Sequence, residues 1–167
     1  MQRHTFLKTA AMAATIALSA AAGLTAARAD LADRKAMTIA EARNAIKAAV
    51  EEATKNSWKM VICVVDDGGR LIAFERMDGA PSSSVDIAQG KGRTAALFGR
   101  SSALLEEAIK TRPALSTVPF LLLQGGLPIT ADGVVIGAMG VSGAQSAQDE
   151  QVAKAGIAAI KGADQPK

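Results

Sequence analysis

The sequence predicts an α+β domain in which a mostly antiparallel β-sheet is flanked by helices. Apolar residues recur at helical spacing near both ends of the chain, and two tight-turn signals each separate two apolar runs. The predicted elements follow in the order α-β-β-α-α-β-β-β-α, which gives five strands. Because helices separate two hairpin-rich blocks, we expect them to pack on an antiparallel sheet. One domain is expected over residues 30–167, with its core in residues 38–160.

Residues 1–29 are predicted to be a signal peptide that is removed during export. They contain three bases and no acid, and their run of small residues ends in an A-x-A cleavage signal at residues 27–29. The alternative is a folded N-terminal helix. Residues 3–8 resemble the twin-arginine export motif with His4 in place of the second arginine, so that route and the general secretory route both stay open. The expected location is the periplasm or the outside of the cell.

Composition and charge exclude several classes of function. The leader carries three of the 19 bases and none of the 16 acids, so the rest of the chain has no net formal charge. This gives no electrostatic case for nucleic acid or a membrane surface as partner, and the leader is too weakly apolar for a membrane anchor. His4 is the only histidine, which excludes histidine-dependent triads and zinc sites from the mature chain. Cys63, the only cysteine, lies in an apolar run and is interpreted as a small buried hydrophobe rather than a reactive thiol.

The first helix and the first hairpin have clear local signals. Thr38 is a good N-cap, and Glu41 three residues later completes a capping box. Residues 58–65 and 70–77 are apolar runs that predict two strands. The turn between them is Asp66-Asp67-Gly68-Gly69, in which glycine accepts the positive φ of a tight hairpin. The aspartates are interpreted as turn formers, with a hard-cation site as the alternative.

Two helices are predicted in the middle of the chain. Serines 82–84 offer N-caps for a helix over residues 85–98, and a second pair of serines caps a helix that ends at Lys110. Gly90 and Gly92 each cost the first of these helices about 1 kcal/mol relative to alanine. They indicate close approach by another backbone or a ligand, with simple tolerance as the alternative.

The last part of the sequence predicts three strands and a helix. The strands are residues 120–123, 129–131 and 134–141. Asp132-Gly133 is a second hairpin signal, and the last strand is apolar enough to lie centrally, beside the first strand. Ser146 is expected to cap the final helix, with Asp149 at its third position, and the helix runs to Ile160.

Five stretches in fixed order resemble a known family. They read VVDDGGRL (64–71), RMDGA (76–80), KGRTA (91–95), GGLPI (125–129) and DG through GAMGVSG (132–143). Together they resemble the GlcG/HbpS-like haem-binding family, which is also similar to the C-terminal domain of PduO-type adenosyltransferases. The resemblance implies a profilin-like five-stranded antiparallel sheet flanked by helices, a homo-oligomer, and haem or a related tetrapyrrole as ligand. Some relatives are implicated in haem degradation or redox sensing, whereas others have no settled activity.

Candidate ligand-binding residues lie at element ends. Gly125-Gly126 and Pro128 are expected to form a pocket wall, because glycines let a flat ligand or an oxyanion approach backbone N–H groups; a tight connection is the alternative. Arg76 is expected to pair with a carboxylate or a haem propionate, or else with a neighbouring acid. Lys91 and Arg93 lie two apart on a helix, so at most one faces a pocket, and a solvated face is the alternative for either.

The resemblance completes this set of candidates. The expected haem-binding residues are Arg76, Lys91, Thr94, Thr117, Phe120, Gly125, Gly126 and Pro128. Some relatives ligate iron through histidine, which the mature chain lacks, and others use a weaker oxygen ligand such as threonine. Thr117 is therefore the metal-ligand candidate, while Thr94, Lys91, Cys63 and the methionines stay open.

Three functions compete at this point. The first is an exported haem- or tetrapyrrole-binding protein in haem handling or redox sensing, with a small carboxylate as the other ligand class. The second is a cofactor-free isomerase or lyase on a hydroxy- or keto-acid, in which Lys91, Arg76 or an aspartate acts with the amides of Gly125-Gly126 as an oxyanion site. The third is an accessory module that acts through a protein partner.

Overall fold

Four helices and four strands make up residues 33–165, which the computed structural model describes. The helices are α1 (Ile39–Lys55), α2 (Ser84–Phe98), α3 (Ser102–Thr111) and α4 (Ser146–Ala158). The strands are β1 (Val61–Asp66), β2 (Leu71–Arg76), β3 (Gly126–Ala131) and β4 (Val134–Ser142), and a 3₁₀ turn (Pro113–Thr117) follows α3. The predicted signal peptide lies outside the described residues. Among the helices described, none has the length and apolar character needed to cross a membrane.

The four strands form one antiparallel sheet in the order β2-β1-β4-β3. The predicted α+β class is confirmed, and β4 lies centrally beside β1, as expected. In this pair Cys63 lies opposite Gly140.

The prediction of five strands is wrong, because residues 120–123 form no strand. The backbone N–H of Phe120 donates to the Val118 carbonyl (2.8 Å), and Pro119 has no N–H, so the segment turns back on itself and offers no ladder. The Phe120 ring packs edge-on against Phe98, with ring centroids 5.2 Å apart. The apolar character of this run therefore reflects side-chain packing. The next strand, β3, begins earlier than predicted and contains Pro128, which an edge strand tolerates.

The helices pack on both faces of the sheet. Helices α1 and α4 cover the larger core, which includes Ile62 and Val64 of β1. Helix α2 covers the other face, where β1 contributes Val61, Cys63 and Val65. Side chains alternate between the faces of a strand, so β1 can be buried on both sides.

Glycines set the distance between α2 and the sheet. A Cβ on Gly140 would overlap the Ala88 carbonyl oxygen and lie 2.6 Å from the Gly92 nitrogen. Gly92 therefore lets the backbone of β4 approach α2 closely. This was one of the two interpretations of the glycines in this helix. Gly90 instead faces a side chain, since a Cβ added to it would lie 3.0 Å from Leu121 Cβ.

Both predicted hairpin turns are present. The Asp66 carboxylate accepts a hydrogen bond from the Arg70 backbone N–H (2.7 Å), and Gly69 has φ +73°. This geometry supports the turn-forming interpretation of Asp66. In the second hairpin Asp132 and Gly133 have φ of +53° and +75°, the pair of positive values that a type I′ turn requires.

Candidate functional site

A buried ion pair joins the helices on the two faces of the sheet. Lys91 Nζ of α2 donates to Asp149 Oδ2 of α4 (2.7 Å) and to the Val141 carbonyl (3.1 Å). The Lys91 and Asp149 side chains are only 3% and 2% exposed. Asp149 Oδ1 also accepts from the Ala144 backbone N–H (3.1 Å), so both carboxylate oxygens have donors.

Burial raises the pKa of the Asp149 carboxyl above its ordinary value. Lys91 and the backbone N–H groups of Ala144 and Gly143 limit this rise, because they stabilise the carboxylate. The Lys91–Asp149 pair is closed off from solvent, and both side chains are bonded to each other and to backbone groups. Its geometry is that of a structural link between α2 and α4.

The two glycines at the start of β3 pack against this ion pair. A Cβ on Gly125, which has φ +118°, would lie 2.8 Å from Asp149 Cβ and 2.9 Å from Lys91 Nζ. A Cβ on Gly126 would overlap the Lys91 carbonyl, and the Gly126 N–H donates to Ser102 Oγ (2.9 Å). The structure thus places this turn as a tight connection, and the Gly126 amide is already bonded.

The two cations considered for an oxyanion site lie in different settings. Lys91 is bonded within the core, whereas Arg76 donates to the Ala80 carbonyl through Nε (3.1 Å) and Nη2 (2.7 Å) and to Ser82 Oγ (3.1 Å). Arg76 therefore fastens the segment between β2 and α2. The two cations have no hydrogen-bond partner in common.

The two candidate threonines lie in different settings. Thr94 is fully buried on α2, and its hydroxyl has no hydrogen-bond partner among the described residues. Thr117 is exposed, and its hydroxyl donates to the Ala114 carbonyl (2.8 Å) within the 3₁₀ turn. The Thr117 oxygen is thereby partly used in local structure.

Pro128 lines a groove of about 570 Å³ between α3, the β3–β4 hairpin and the chain end. Arg100 and Asp164 bring one charge of each sign to it. The Gly133 N–H donates to the Asp164 carboxylate (2.9 Å), and this hydrogen bond holds the pKa of that carboxyl below its usual value. Asp164 is accordingly ionised at neutral pH. We call this space the tail groove.

A second cavity of about 310 Å³ lies between the first hairpin and α2. We call it the arginine cleft. Its lining residues are Val65, Gly69, Arg70, Leu71, Gln89, Gly90 and Arg93. Both arginines are exposed, and neither forms an ion pair with a described residue. The cleft is therefore lined by two cations and no acid.

Phe120 lies beside Arg93, next to the residues that line the arginine cleft. The Arg93 guanidinium lies 5.8 Å from the centroid of the Phe120 ring, within range of a cation–π contact. Leu121, the next residue, packs against Gly90 of the cleft. An aromatic ring therefore lies against one of the two cations of the cleft.

Two of the residues at these sites were not among the sequence candidates. Asp149 was predicted only as an acid near the start of the final helix, and it does lie in the first turn. The N-cap is Gln145, whose side chain forms a capping box with that of Gln148. Arg70 follows a turn and carries no local signal. The prediction that Lys91 and Arg93 point to different faces is confirmed, since Lys91 is buried and Arg93 is exposed.

Cys63, Met60 and Met139 lie outside the lining of both cavities. Burial raises the pKa of the Cys63 thiol to about 12, so Cys63 stays a neutral buried side chain, as predicted. Met60 and Met139 are fully buried in the larger core. Among residues 33–165 no cluster of three histidine, cysteine or acidic side chains could hold a metal ion.

Comparisons with known proteins assign a family. Residues 37–158 match the family model described as haem degrading protein HbpS-like. Protein GlcG of Escherichia coli K12 is 49% identical over 99 residues, which cover 58% of this chain and 74% of GlcG. The crystal structure of a double mutant of HbpS from Streptomyces reticuli is 37% identical with a TM-score of 0.75, and the match covers 81% of this chain and 94% of that one. The structure of PduOC in complex with haem is 27% identical with a TM-score of 0.73, and covers 80% and 100% of the two chains.

Proposed function

Because the chain belongs to the HbpS-like family, we propose that it is an exported protein that binds haem in the arginine cleft. The observation that carries this assignment is the pair Arg70 and Arg93, which face one cavity without a lining carboxylate. Haem is a flat apolar macrocycle with two propionates. Two guanidinium groups match two carboxylates in charge and in hydrogen-bonding geometry.

Apolar surface beside the arginines suits the macrocycle. The Phe120 ring lies next to Arg93, and Leu71 is 50% exposed at the cleft. Covering such surfaces stabilises a complex by roughly 25 cal/mol for each Å² removed from water. The relative PduOC, which was solved with haem, supports the choice of ligand.

The tail groove is larger but less suited to a dianion. Its ionised Asp164 lies on the same lining as Arg100, and would repel one of two propionates. The arginine cleft, at about 310 Å³, is at the lower end of ligand-site volumes, so one subunit would leave part of the macrocycle exposed. A second subunit of a homo-oligomer would cover that part.

Haem handling is the role that these residues favour over redox sensing through a thiol. A thiol sensor needs an accessible thiolate. Cys63 is buried, with its pKa raised to about 12. Export, indicated by residues 1–29, would place such a protein where it meets haem outside the cytoplasm.

A haemin titration tests the proposal. We expect a saturable Soret band, and a dissociation constant about tenfold or more higher in Arg70→Gln and in Arg93→Gln, since each loses a charge-assisted bond to a propionate. Arg100→Gln in the tail groove is the matched control and should bind like the parent. A free-haemin spectrum at saturating protein, or a loss confined to Arg100→Gln, would remove the arginine cleft as the haem site.

A further inference from the structure

The arginine cleft has two cations that could meet the edge of a macrocycle and no strong ligand for its metal. Resting on the proposed haem site, we infer that the cleft selects flat dianionic porphyrins whether or not they carry iron. The ligand class is then defined by shape and by two carboxylates. Iron contributes little to the affinity.

The cleft offers no strong ligand to iron. Among its lining residues there is no histidine, cysteine, methionine or carboxylate. Gln89 is the one uncharged polar side chain of the lining, and its amide Nε2 already donates to the Val85 carbonyl (3.2 Å). An amide is a weak partner for haem iron compared with imidazole or thiolate.

The sulfur atoms of Cys63, Met60 and Met139 are buried beneath the secondary structure. Cys63 lies under α2, where a Cβ added to Gly92 would be 3.4 Å from its Sγ. Met60 and Met139 belong to the core on the opposite face of the sheet from α2. None of the three could reach the cleft unless the helix layer came apart.

The charges, in contrast, face the solvent side of the cleft. Arg70 comes from the hairpin and Arg93 from α2, so the two guanidinium groups approach a ligand from separate elements. A Cβ on Gly69 would lie 2.8 Å from Arg93 Cγ, which shows how closely the hairpin meets the stem of that arginine. Both groups can reach carboxylates at a ligand edge, and neither is a ligand for iron.

Three ligands separate the contributions of metal and periphery. Haemin, iron-free protoporphyrin IX and the protoporphyrin dimethyl ester are titrated into the protein under one set of conditions, with absorbance and porphyrin fluorescence as readouts. We expect protoporphyrin IX to bind within about threefold of haemin, and the diester at least tenfold more weakly than the diacid. In the Arg70→Gln/Arg93→Gln double variant this preference for the diacid should disappear, whereas Arg100→Gln should keep it.

The outcomes distinguish this inference from the proposed function. If haemin binds and protoporphyrin IX binds more than tenfold more weakly, iron dominates and the inference is overturned while haem binding stands. Equal binding of diacid and diester overturns it as well. A loss of haemin but not of protoporphyrin IX in Thr117→Val would show an iron ligand and have the same consequence. If neither porphyrin binds, the proposed function itself fails.

Discussion

Single residues in the interior of this protein have roles that their local sequence does not reveal. Lys91 and Asp149 are 58 positions apart, and each has a common surface interpretation, as a solvated helix cation and a helix-start acid. Their burial follows from the packing of α2 and α4 around the end of β4, which no local pattern specifies. The helix start itself was predicted to within one residue, although Gln145 rather than Ser146 caps it.

Removing one partner of the buried pair should be strongly destabilising. In Asp149→Ala the Lys91 ammonium loses its carboxylate in a site that is closed to water, and we expect unfolding to become about 3–5 kcal/mol easier. The double variant Lys91→Met/Asp149→Leu leaves no charge and should recover much of this loss. Urea unfolding followed by circular dichroism measures both. Lys110→Met, which breaks the exposed pair with Glu107, is the control and should leave the free energy of unfolding nearly unchanged. A comparably small effect in Asp149→Ala would contradict a structural role for the pair.

Cys63 should make stability fall at alkaline pH. In the unfolded chain the thiol ionises around its ordinary pKa of 9.0, whereas burial holds it protonated in the fold up to about 12. Between these values ionisation stabilises only the unfolded state, so stability decreases as pH rises, by on the order of 1 kcal/mol at pH 10. The variant Cys63→Ala lacks this contribution but keeps every lysine. The stability difference between parent and variant should therefore narrow from pH 8 to pH 10, and a difference that stays constant or widens would argue against a buried neutral thiol.

At the scale of elements, local signals predicted most of the architecture. The Thr38 cap, the two glycine hairpins and the doubly buried β4 are all present because each depends on neighbours in sequence or on the apolar run itself. The strand predicted over residues 120–123 is absent because its formation depends on pairing with a distant segment. An apolar run is needed for a buried strand, but it is also what a loop needs when Phe120 packs on Phe98 and Leu122 is buried. A buried strand and a packed loop differ in whether a neighbouring strand is available for hydrogen bonding, which the local sequence does not show.

The contact between α2 and β4 gives a prediction at this scale. In Gly140→Ala the new Cβ would meet the Ala88 carbonyl and the Gly92 nitrogen, which are backbone atoms that cannot rotate away. We expect a loss of about 3 kcal/mol, the upper end of the range for overpacking, or failure to accumulate as folded protein. Gly68→Ala in the first hairpin is the control, since its Cβ would meet only the Asp66 side chain at 3.3 Å. Thermal unfolding should separate the two variants, and equal midpoints would mean that α2 can shift away from the sheet.

For the whole molecule, the sequence predicted the family but not the location of its candidate site. Phe120 was a candidate and Arg93 was considered for a pocket, yet Arg70 was not, because it comes from a hairpin 23 residues away. The binding site was predicted at the Gly125-Gly126 turn. In the structure, Gly125 instead packs against the Lys91–Asp149 pair. A cleft formed between two elements becomes visible only when both have been placed in three dimensions.

Export is the prediction that concerns the chain as a whole. Residues 1–29 carry the cleavage signal, and the described residues of the larger core begin at Met37, so cleavage after Ala29 falls before all of them. Expressed from its full sequence in a Gram-negative host, the protein is expected in the periplasm with Asp30 at its N-terminus, as N-terminal sequencing of the periplasmic fraction would show. Ala29→Arg should block cleavage and leave a longer, membrane-associated form, whereas Asp30→Asn, just beyond the signal, should be processed normally. Recovery of the parent chain from the cytoplasm with its first residues intact would refute export, and haem binding would then have to be explained for a protein that works inside the cell.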